Sequence, residues 1–381
     1  MSTPEIVFWA AVALLVYAHA GYPLLLRALA ALLGRGPAGA PQPIADAELP
    51  RVSLIVAAHD EEEVIERRVR DARALDYPRE RLELIVASDG SADRTAERAR
   101  AAGADLVLEL ERGGKVAALN AAVERSTGGA LAFSDANCTW AADSLRRLVE
   151  RLAEPGVGYV CGQLRLLGAA GDNQEGVYWR YEMAVRELES RLAGITAGNG
   201  AINAVRREAY VFLEPIRGQD ITLPFTLAKR GWRSVYEPHA VAEERMAATI
   251  GAELGRKRRM MTGAWATMLG GGMLSPRGYR PLYALEIVSH RLLRYATPFL
   301  HLIALAANVA VLAEGPLYVA TLLAQLALVA AAALAPLAPL APLRVARYYV
   351  AVTAASAIGL WDYLRRGVPV TWDKAAGTRE A

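Results

Sequence analysis

Two cysteines, Cys138 and Cys161, are all that 381 residues contain, which excludes a disulfide framework or a cysteine metal cluster and fits a reducing cytoplasm. Charge is scarce as well: 22% of the residues are charged, and 43 basic against 40 acidic side chains leave a formal net charge of +3. Bulk charge of that size argues against nucleic acid as a partner, so any positive surface must come from local clustering. Also missing is a G-x-G-x-x-G turn after the first β-like run. His59-Asp60-Glu61-Glu62-Glu63 stands where pyrophosphate would have to meet bare backbone, which excludes a dinucleotide site of that type. What the chain has in excess is apolar side chains, 54% by the broad count, and that excludes a disordered chain.

The apolar excess sits at the two ends. Ile6 to Leu26 carries no charge, and 21 residues at about 1.5 Å rise span about 30 Å of hydrocarbon. Ala18-His19-Ala20 has the spacing of a signal-peptidase site, but no Lys or Arg precedes it, so residues 1–35 are expected to be an uncleaved transmembrane anchor. Arg27 and Arg35 follow the run and only Glu5 precedes it, which places the middle of the chain in the cytoplasm. Two further spans are expected over 295–343, Tyr295 to Ala313 and Gly315 to Leu343, with the proline-rich Ala335 to Leu343 as an extended end. Tyr348 to Trp361 is short and has arginines on both sides, so 344–381 reads as an interfacial or re-entrant segment and a cytoplasmic tail. The expected location is the cell membrane, multi-pass.

Between the ends, short β-rich runs alternate with helical patterns. Val52 to Ala57, Leu82 to Ala87, Asp105 to Leu110 and Ala130 to Phe133 read as buried strands, and Glu62 to Leu75, Ala92 to Ala102 and Lys115 to Arg125 as amphipathic helices. The alternation predicts a doubly wound, mostly parallel α/β sheet, which binds ligands at the C-terminal ends of its strands. Those ends are polar here: His59-Asp60-Glu61, Ser88-Asp89-Gly90-Ser91 and Ser134-Asp135-Ala136-Asn137. Asp60 and Ser91 are also candidate helix caps. If phosphates bind beside carboxylates, a divalent cation must separate the charges, and Asp135 with Asn137 offers the hard oxygens that Mg²⁺ or Mn²⁺ prefers. Such turns also end strands with no ligand at all.

The runs VSLIVAAHDEEEVI, LELIVASDGSADRT, GKVAALNAAVERSTGGALAFSDAN, GNGAINAVRRE and GQDITLPFTLAKRGWRSVYEP come in the order of the blocks of family-two inverting glycosyltransferases. From Arg51 to Met261 the chain resembles that family's membrane-bound branch. The resemblance implies an A-type nucleotide-sugar transferase fold, with 51–250 as a cytoplasmic catalytic domain and a nucleotide-diphosphate sugar, UDP-linked by expectation, as donor. It places Ala57, His59, Glu61 and Asp89 at the nucleobase and ribose, Lys115 on the nucleotide side, and Asp135 and Asn137 at the metal, asparagine standing for the second aspartate. Asp220 takes the place of the catalytic base, Gln219 standing where the family shows glutamate. Gly198, Asn199 and Gly200 fall on the acceptor side, and Arg206 and Arg207 beside them match the block or form a solvated turn. The Q-x-x-R-W of processive synthases is replaced by Arg256-Lys257-Arg258-Arg259-Met260, which argues against a long polymer. Arg258 and Arg259 are expected to neutralise the leaving diphosphate, to rest on anionic lipid, or both, within an amphipathic interface segment over 251–294.

The chemistry implied is single in-line transfer. Asp220 takes the proton of an acceptor hydroxyl as it attacks the anomeric carbon, inverting that centre. None of the five histidines is required. The acceptor is a polysaccharide, glycan or lipid; the alternatives are a polyprenyl-phosphate acceptor and a non-catalytic nucleotide-sugar-binding membrane component. Oligomeric state is not legible.

Overall fold

Val52–Ala58 is buried along its whole length, as an uninterrupted apolar strand must be when both faces of its sheet are covered. In the computed structural model, which describes residues 1–36, 39–167, 176–245, 250–338 and 340–370, this strand is β1, near the middle of an eight-stranded sheet. The others are β2 (Leu82–Asp89), β3 (Leu106–Leu110), β4 (Ala130–Asp135), β5 (Cys138–Trp140), β6 (Val157–Leu167), β7 (Asn203–Arg206) and β8 (Arg233–Arg245), in the order β3-β2-β1-β4-β7-β6-β8-β5. Strands β3, β2, β1 and β4 run parallel, and their register sets Ala57 opposite both Ala87 and Asp135. Beyond β4 the sheet is mixed: β7 is antiparallel to β4 and β6, β6 and β8 are parallel, and β5 is antiparallel to β8. The doubly wound α/β class expected from the sequence is the class observed, with its parallel order confined to the first half and one later pair.

The helices, in chain order, are α1 (Thr3–Leu32), α2 (Ile65–Arg73), α3 (Thr95–Ala101), α4 (Lys115–Arg125), α5 (Ser144–Leu152), α6 (Gly176–Arg191), α7 (Gln219–Lys229), α8 (Ile250–Gly270), α9 (Pro281–Tyr295), α10 (Thr297–Ala310), α11 (Pro316–Leu334) and α12 (Ala341–Arg366). Successive β1 side chains point to opposite faces. Leu54 and Val56 join a core with Ile65 and Val69 of α2 and Leu145 and Leu148 of α5. Ile55 and Ala57 join a second core with Leu119 and Val123 of α4 and Leu223 and Leu227 of α7. Two helical layers therefore leave only the strand ends open.

Helices α1 and α11 are long and apolar enough to cross a membrane, and α9 with α10 passes that test as a pair bent by 63°. Near its start α1 packs Phe8 and Ala11 against Ala304, Ala307 and Tyr318; near its end Tyr22 and Leu26 pack on Val185 and Leu188 of α6 and on Leu192 just after it. One helix thus touches both the apolar bundle and the sheet domain. Helix α11 stops at Leu334, short of the expected Leu343, and α12 begins at Ala341 with Pro342 in its first turn, where a missing N–H costs no bond. Tyr348 to Trp361 lies inside this one continuous helix. Trp265 of α8 donates to the Ser356 carbonyl at 2.9 Å and Arg258 pairs with Asp362, so α8 and α12 lie together. The chain around the expected domain end, 246–249, and the tail from 371 onward are outside the described residues.

Candidate active site

The ends of β1 and β2 are bonded to each other before any ligand is considered. The Asp60 N–H donates to Ser91 Oγ at 3.1 Å, and the Asp60 carboxylate accepts from Ala92 N at 2.8 Å. Asp60 makes this link at φ 51°, the one positive φ among the described non-glycine residues and one that aspartate tolerates. Glu61 and Glu62 donate their amides to Thr95 Oγ1 and Asp93 Oδ2. Asp60 therefore braces the neighbouring loop rather than capping α2, and the amide of Thr95 is taken by Asp93, not Ser91. A ring nitrogen of His59 lies 2.8 Å from the Asp89 carbonyl. Buried Asp89 accepts from Gly113 N at 2.7 Å and Gly114 N at 3.0 Å, which fixes the loop that starts α4. Ala57, His59, Glu61 and Asp89 thus occupy one polar rim.

Lys115, the first residue of α4, crosses to the end of β4 and forms an ion pair with Asp135. Burial disfavours the charged lysine, but Asp135 and Asp220 outweigh it and raise its pKa. Asn137 is buried and donates its amide to Glu244 Oε1 at 2.9 Å, leaving its own carbonyl oxygen for other work. Glu244 belongs to β8, where Cys138 pairs with it, and nothing in the sequence marks it as a partner of this turn. The Asp135 carboxylate, partly exposed, and the Asn137 carbonyl are hard oxygens of the kind Mg²⁺ or Mn²⁺ takes, so the residues fit such an ion. The set is incomplete: among the described residues no group of three or more His, Cys, Asp or Glu could hold a metal. The burial of the Cys138 thiol beside the turn pushes its pKa up to about 11, so it is not a thiolate ligand.

Strand β7 brings the loop Gly198-Asn199-Gly200, expected on the acceptor side, to the same rim. A β-carbon on Gly198 would stand 2.1 Å from the hydroxyl of buried Tyr159, so that position admits no side chain, whereas one on Gly200 would stand 2.8 Å from Lys115 Nζ and push the lysine end aside. Between them Asn199 donates to the Gly162 carbonyl at 2.9 Å and accepts from Ala201 N and Ile202 N, holding the loop from inside. The Gly198 N–H then donates to the Asp220 carbonyl at 2.7 Å, tying this loop to α7. Asp220 is the second residue of α7, after the N-cap Gly218. Burial raises its pKa and Asp135 adds to the rise, while Lys115 and the backbone N–H groups of Asp220 and Ile221 oppose it. Asp135, Lys115 and Asp220 thus feel one another. Gln219 is buried, and neither end of its amide has a partner.

Other expected positions lie elsewhere. Arg258 is exposed and engaged with Asp362 of α12, and no ion pair among the described residues joins Arg258 or Arg259 to the rim. Arg206 and Arg207 form neither a donor contact nor a solvated turn: antiparallel β7 carries them to the opposite end of the sheet, Arg206 facing Ala130. There they bond the Val157 carbonyl at 2.7 Å and Ser126 Oγ at 2.6 Å.

Residues 53–211 match the model of the family described as Glycosyl transferase family 2. An N-acetylglucosaminyltransferase of Rhizobium meliloti is 28% identical over 302 residues, 71% of this chain and 70% of that protein. Glycosyltransferase AglE of Haloferax volcanii is 33% identical over 121 residues, 30% of this chain and 40% of its own length, so the chain spans less than half of that relative. Among solved structures, a mannosyltransferase from Pyrobaculum calidifontis in complex with GDP-Man and Mn²⁺ superposes with a TM-score of 0.72 at 26% identity, covering 94% of this chain and 99% of that one. Motif order, sheet and rim agree with these matches, and residues 53–211 are a family 2 glycosyltransferase domain.

Proposed function

We propose that this chain is an inverting glycosyltransferase that moves a sugar from a nucleoside-diphosphate donor to an acceptor at the cytoplasmic face of the membrane. The observation that carries the reading is the electrostatic coupling of Asp220, Lys115 and Asp135 at one rim. The acceptor hydroxyl gives its proton to the Asp220 carboxylate while its oxygen bonds to the anomeric carbon, and the bond from that carbon to the diphosphate breaks on the opposite side. A base whose pKa is raised holds the proton better, which suits this step. Lys115 lies on the leaving side, where its ammonium offsets the charge that grows on the diphosphate. Held by Asp135 and the Asn137 carbonyl, Mg²⁺ or Mn²⁺ supplies further neutralisation there when bound. Ala57, His59, Glu61 and Asp89 form the nucleobase and ribose wall, and Gly198, Asn199, Gly200 and Gln219 the acceptor wall. Uridine is the nucleotide expected here, whereas the solved mannosyltransferase holds GDP-Man. Arg27 in the last turns of α1 and Arg35 just beyond it support the cytoplasmic placement.

A lipid acceptor, polyprenyl phosphate included, is favoured by one further observation. A cavity of about 330 Å³ lies among α1, α6, α8, α9, α10 and α12, with Tyr348, Tyr349 and Val352 on one wall and His290, Arg291 and Arg294 on another. Arg291 donates to Thr196 Oγ1 at 2.8 Å, which brings the cavity to the start of the acceptor-side loop.

Asp220→Asn tests the reading. Asparagine keeps the size and cannot take the hydroxyl proton, so transfer should fall by roughly two to four orders of magnitude while the affinity for UDP and GDP and the melting temperature hold. Turnover within a fewfold of wild type would remove Asp220 from the mechanism. Wild-type protein that neither transfers sugar nor slowly hydrolyses the donor would be a binding component instead. A charged, sugar-bearing product in the organic phase would identify the polyprenyl-phosphate acceptor.

A further inference from the structure

Behind the turn Asp135-Ala136-Asn137 lies a guanidinium that the mechanism does not use. Arg68, on α2, is 1% exposed. Its Nε donates to Ser134 Oγ at 3.0 Å, and its Cζ sits 5.3 Å from the centre of the Trp140 ring. Both terminal nitrogens, Nη1 and Nη2, are buried without a partner. Ser134 and Trp140 bracket the turn in sequence, and the Ser134 hydroxyl bonds the Asp135 carbonyl at 2.9 Å, so the cation stands directly behind the metal turn. Arginine keeps its proton in proteins, and a buried charge is screened far less than a surface one. Leaving it unpaired is costly, and an apolar side chain of similar length would avoid that cost.

The charges that face the turn are Lys115, paired with Asp135; Glu244, bonded to Asn137; Asp220, coupled to Lys115; and Asp71, which accepts from Thr139 at 3.2 Å. Arg68 makes no hydrogen bond or ion pair with any of these acids, but Asp71 and Asp135 act on it through space, so its charge and that of the turn feel each other. The turn has one carboxylate, because asparagine stands at 137, and cations both before and behind it. A divalent ion arriving alone meets a poor site. A nucleoside diphosphate, by contrast, gains from both cations and brings the negative charge that the ion needs.

We propose that Arg68 is a fixed counter-charge behind the metal turn, which holds back a divalent cation until a nucleoside diphosphate has bound. The inference rests on the reading of Asp135 and Asn137 as the metal turn, and it adds an order: diphosphate and ion enter together. Arg68 touches neither, so it is a positioning residue acting through the field at the turn.

The test is Mn²⁺ titration of the detergent-purified full chain, following free Mn²⁺ by electron paramagnetic resonance, with and without UDP or GDP. In Arg68→Met the nucleotide-free protein should bind Mn²⁺ about tenfold more tightly, and the metal-free affinity for the diphosphate should fall by about tenfold. Arg68→Lys keeps the charge and loses the planar stack, so it should titrate like wild type. Unchanged Mn²⁺ affinity in Arg68→Met overturns the proposal, as does an Arg68→Lys protein that behaves like Arg68→Met, since a packing role predicts that result. Should the methionine variant fail to accumulate, Arg68→Gln, which can still donate to Ser134, carries the same expectation. Wild-type protein that binds no Mn²⁺ even with diphosphate would remove the metal reading of the turn, and this inference with it.

Discussion

On the proposed donor side of the rim the protein is bonded to itself, whereas on the proposed acceptor side a buried amide has no partner. Asp60 and Ser91 brace β1 against β2, Asp89 fixes the loop before Lys115, and Lys115 holds Asp135. One position from the proposed base, Gln219 is buried with both amide atoms unpaired. The difference has a physical sense. Nucleoside diphosphates share the same diphosphate charge and ribose, so a pocket for that part can be built when the chain folds. In the proposed reading the acceptor supplies what the amide lacks, and a site that leaves hydrogen-bonding groups unpaired until the right partner arrives discriminates strongly among partners. The comparison breaks if the donor side proves loose or the amide proves satisfied.

The largest expected effect comes from loosening the donor side. Asp89→Ala removes a carboxylate that takes two backbone N–H groups and leaves both without it, that of Gly114 buried and that of Gly113 half-buried. Bonds to a charged acceptor contribute about 1.5–3 kcal/mol each, so the variant should lose about 3 kcal/mol of stability and bind UDP or GDP more weakly. Differential scanning fluorimetry with and without nucleotide measures both. A melting temperature unchanged by Asp89→Ala would mean that the pocket is not held this way.

A second expectation concerns pH. Burial raises the Asp220 pKa in the folded protein above its value in the unfolded chain. The stability contributed by its protonated form is therefore fully present below the ordinary aspartate pKa of about 3.9 and is lost as pH rises through the folded value. Asp220→Asn, which never ionises, should be at least as stable as wild type at neutral pH, and the difference should close at acid pH. Activity needs the ionised base, so the acid limb of kcat/KM should lie above the ordinary aspartate range. Because Lys115 lowers the Asp220 pKa, Lys115→Met should move that limb to higher pH. A limb that stays put would uncouple the two residues.

The two halves of the sheet also differed in how far they could be read from sequence. Strands β1, β2 and β4 are buried runs, and their apolar continuity identified them. Strand β8 hides the same role behind charge: it carries Arg233, Glu237, Glu243, Glu244 and Arg245, with Glu237 buried only because Arg151 pairs with it at 2.6 Å. Glu244 reaches Asn137 through strand pairing between residues more than a hundred positions apart, a contact that no local pattern announces. Arg68 looked like one of several arginines on an amphipathic helix, and only burial distinguishes it from exposed Arg70. The motif positions Asp135, Lys115 and Asp220 were legible because their residue types and order carry the chemistry; their mutual distances depend on the pairing of β7 and the packing of α7, which no local pattern announces.

The smallest expected effect tests the waiting amide itself. Gln219 is 6% exposed, and replacing an unpaired buried amide by an apolar group of similar shape is neutral or stabilising, because the folded state no longer pays for dehydrating it. Gln219→Met should therefore raise stability by about 1 kcal/mol in the protein without acceptor. In turnover the same change should act the other way. An acceptor that bonds the amide loses that partner, so KM for the acceptor should rise while donor affinity, set on the other side of the rim, stays as it was. A structural glutamine predicts the reverse on the first count, since removing a satisfied buried amide strands its partners. Melting curves and acceptor titrations of one variant separate the two cases: loss of stability with unchanged acceptor KM would make Gln219 part of the scaffold and erase the contrast between the two sides.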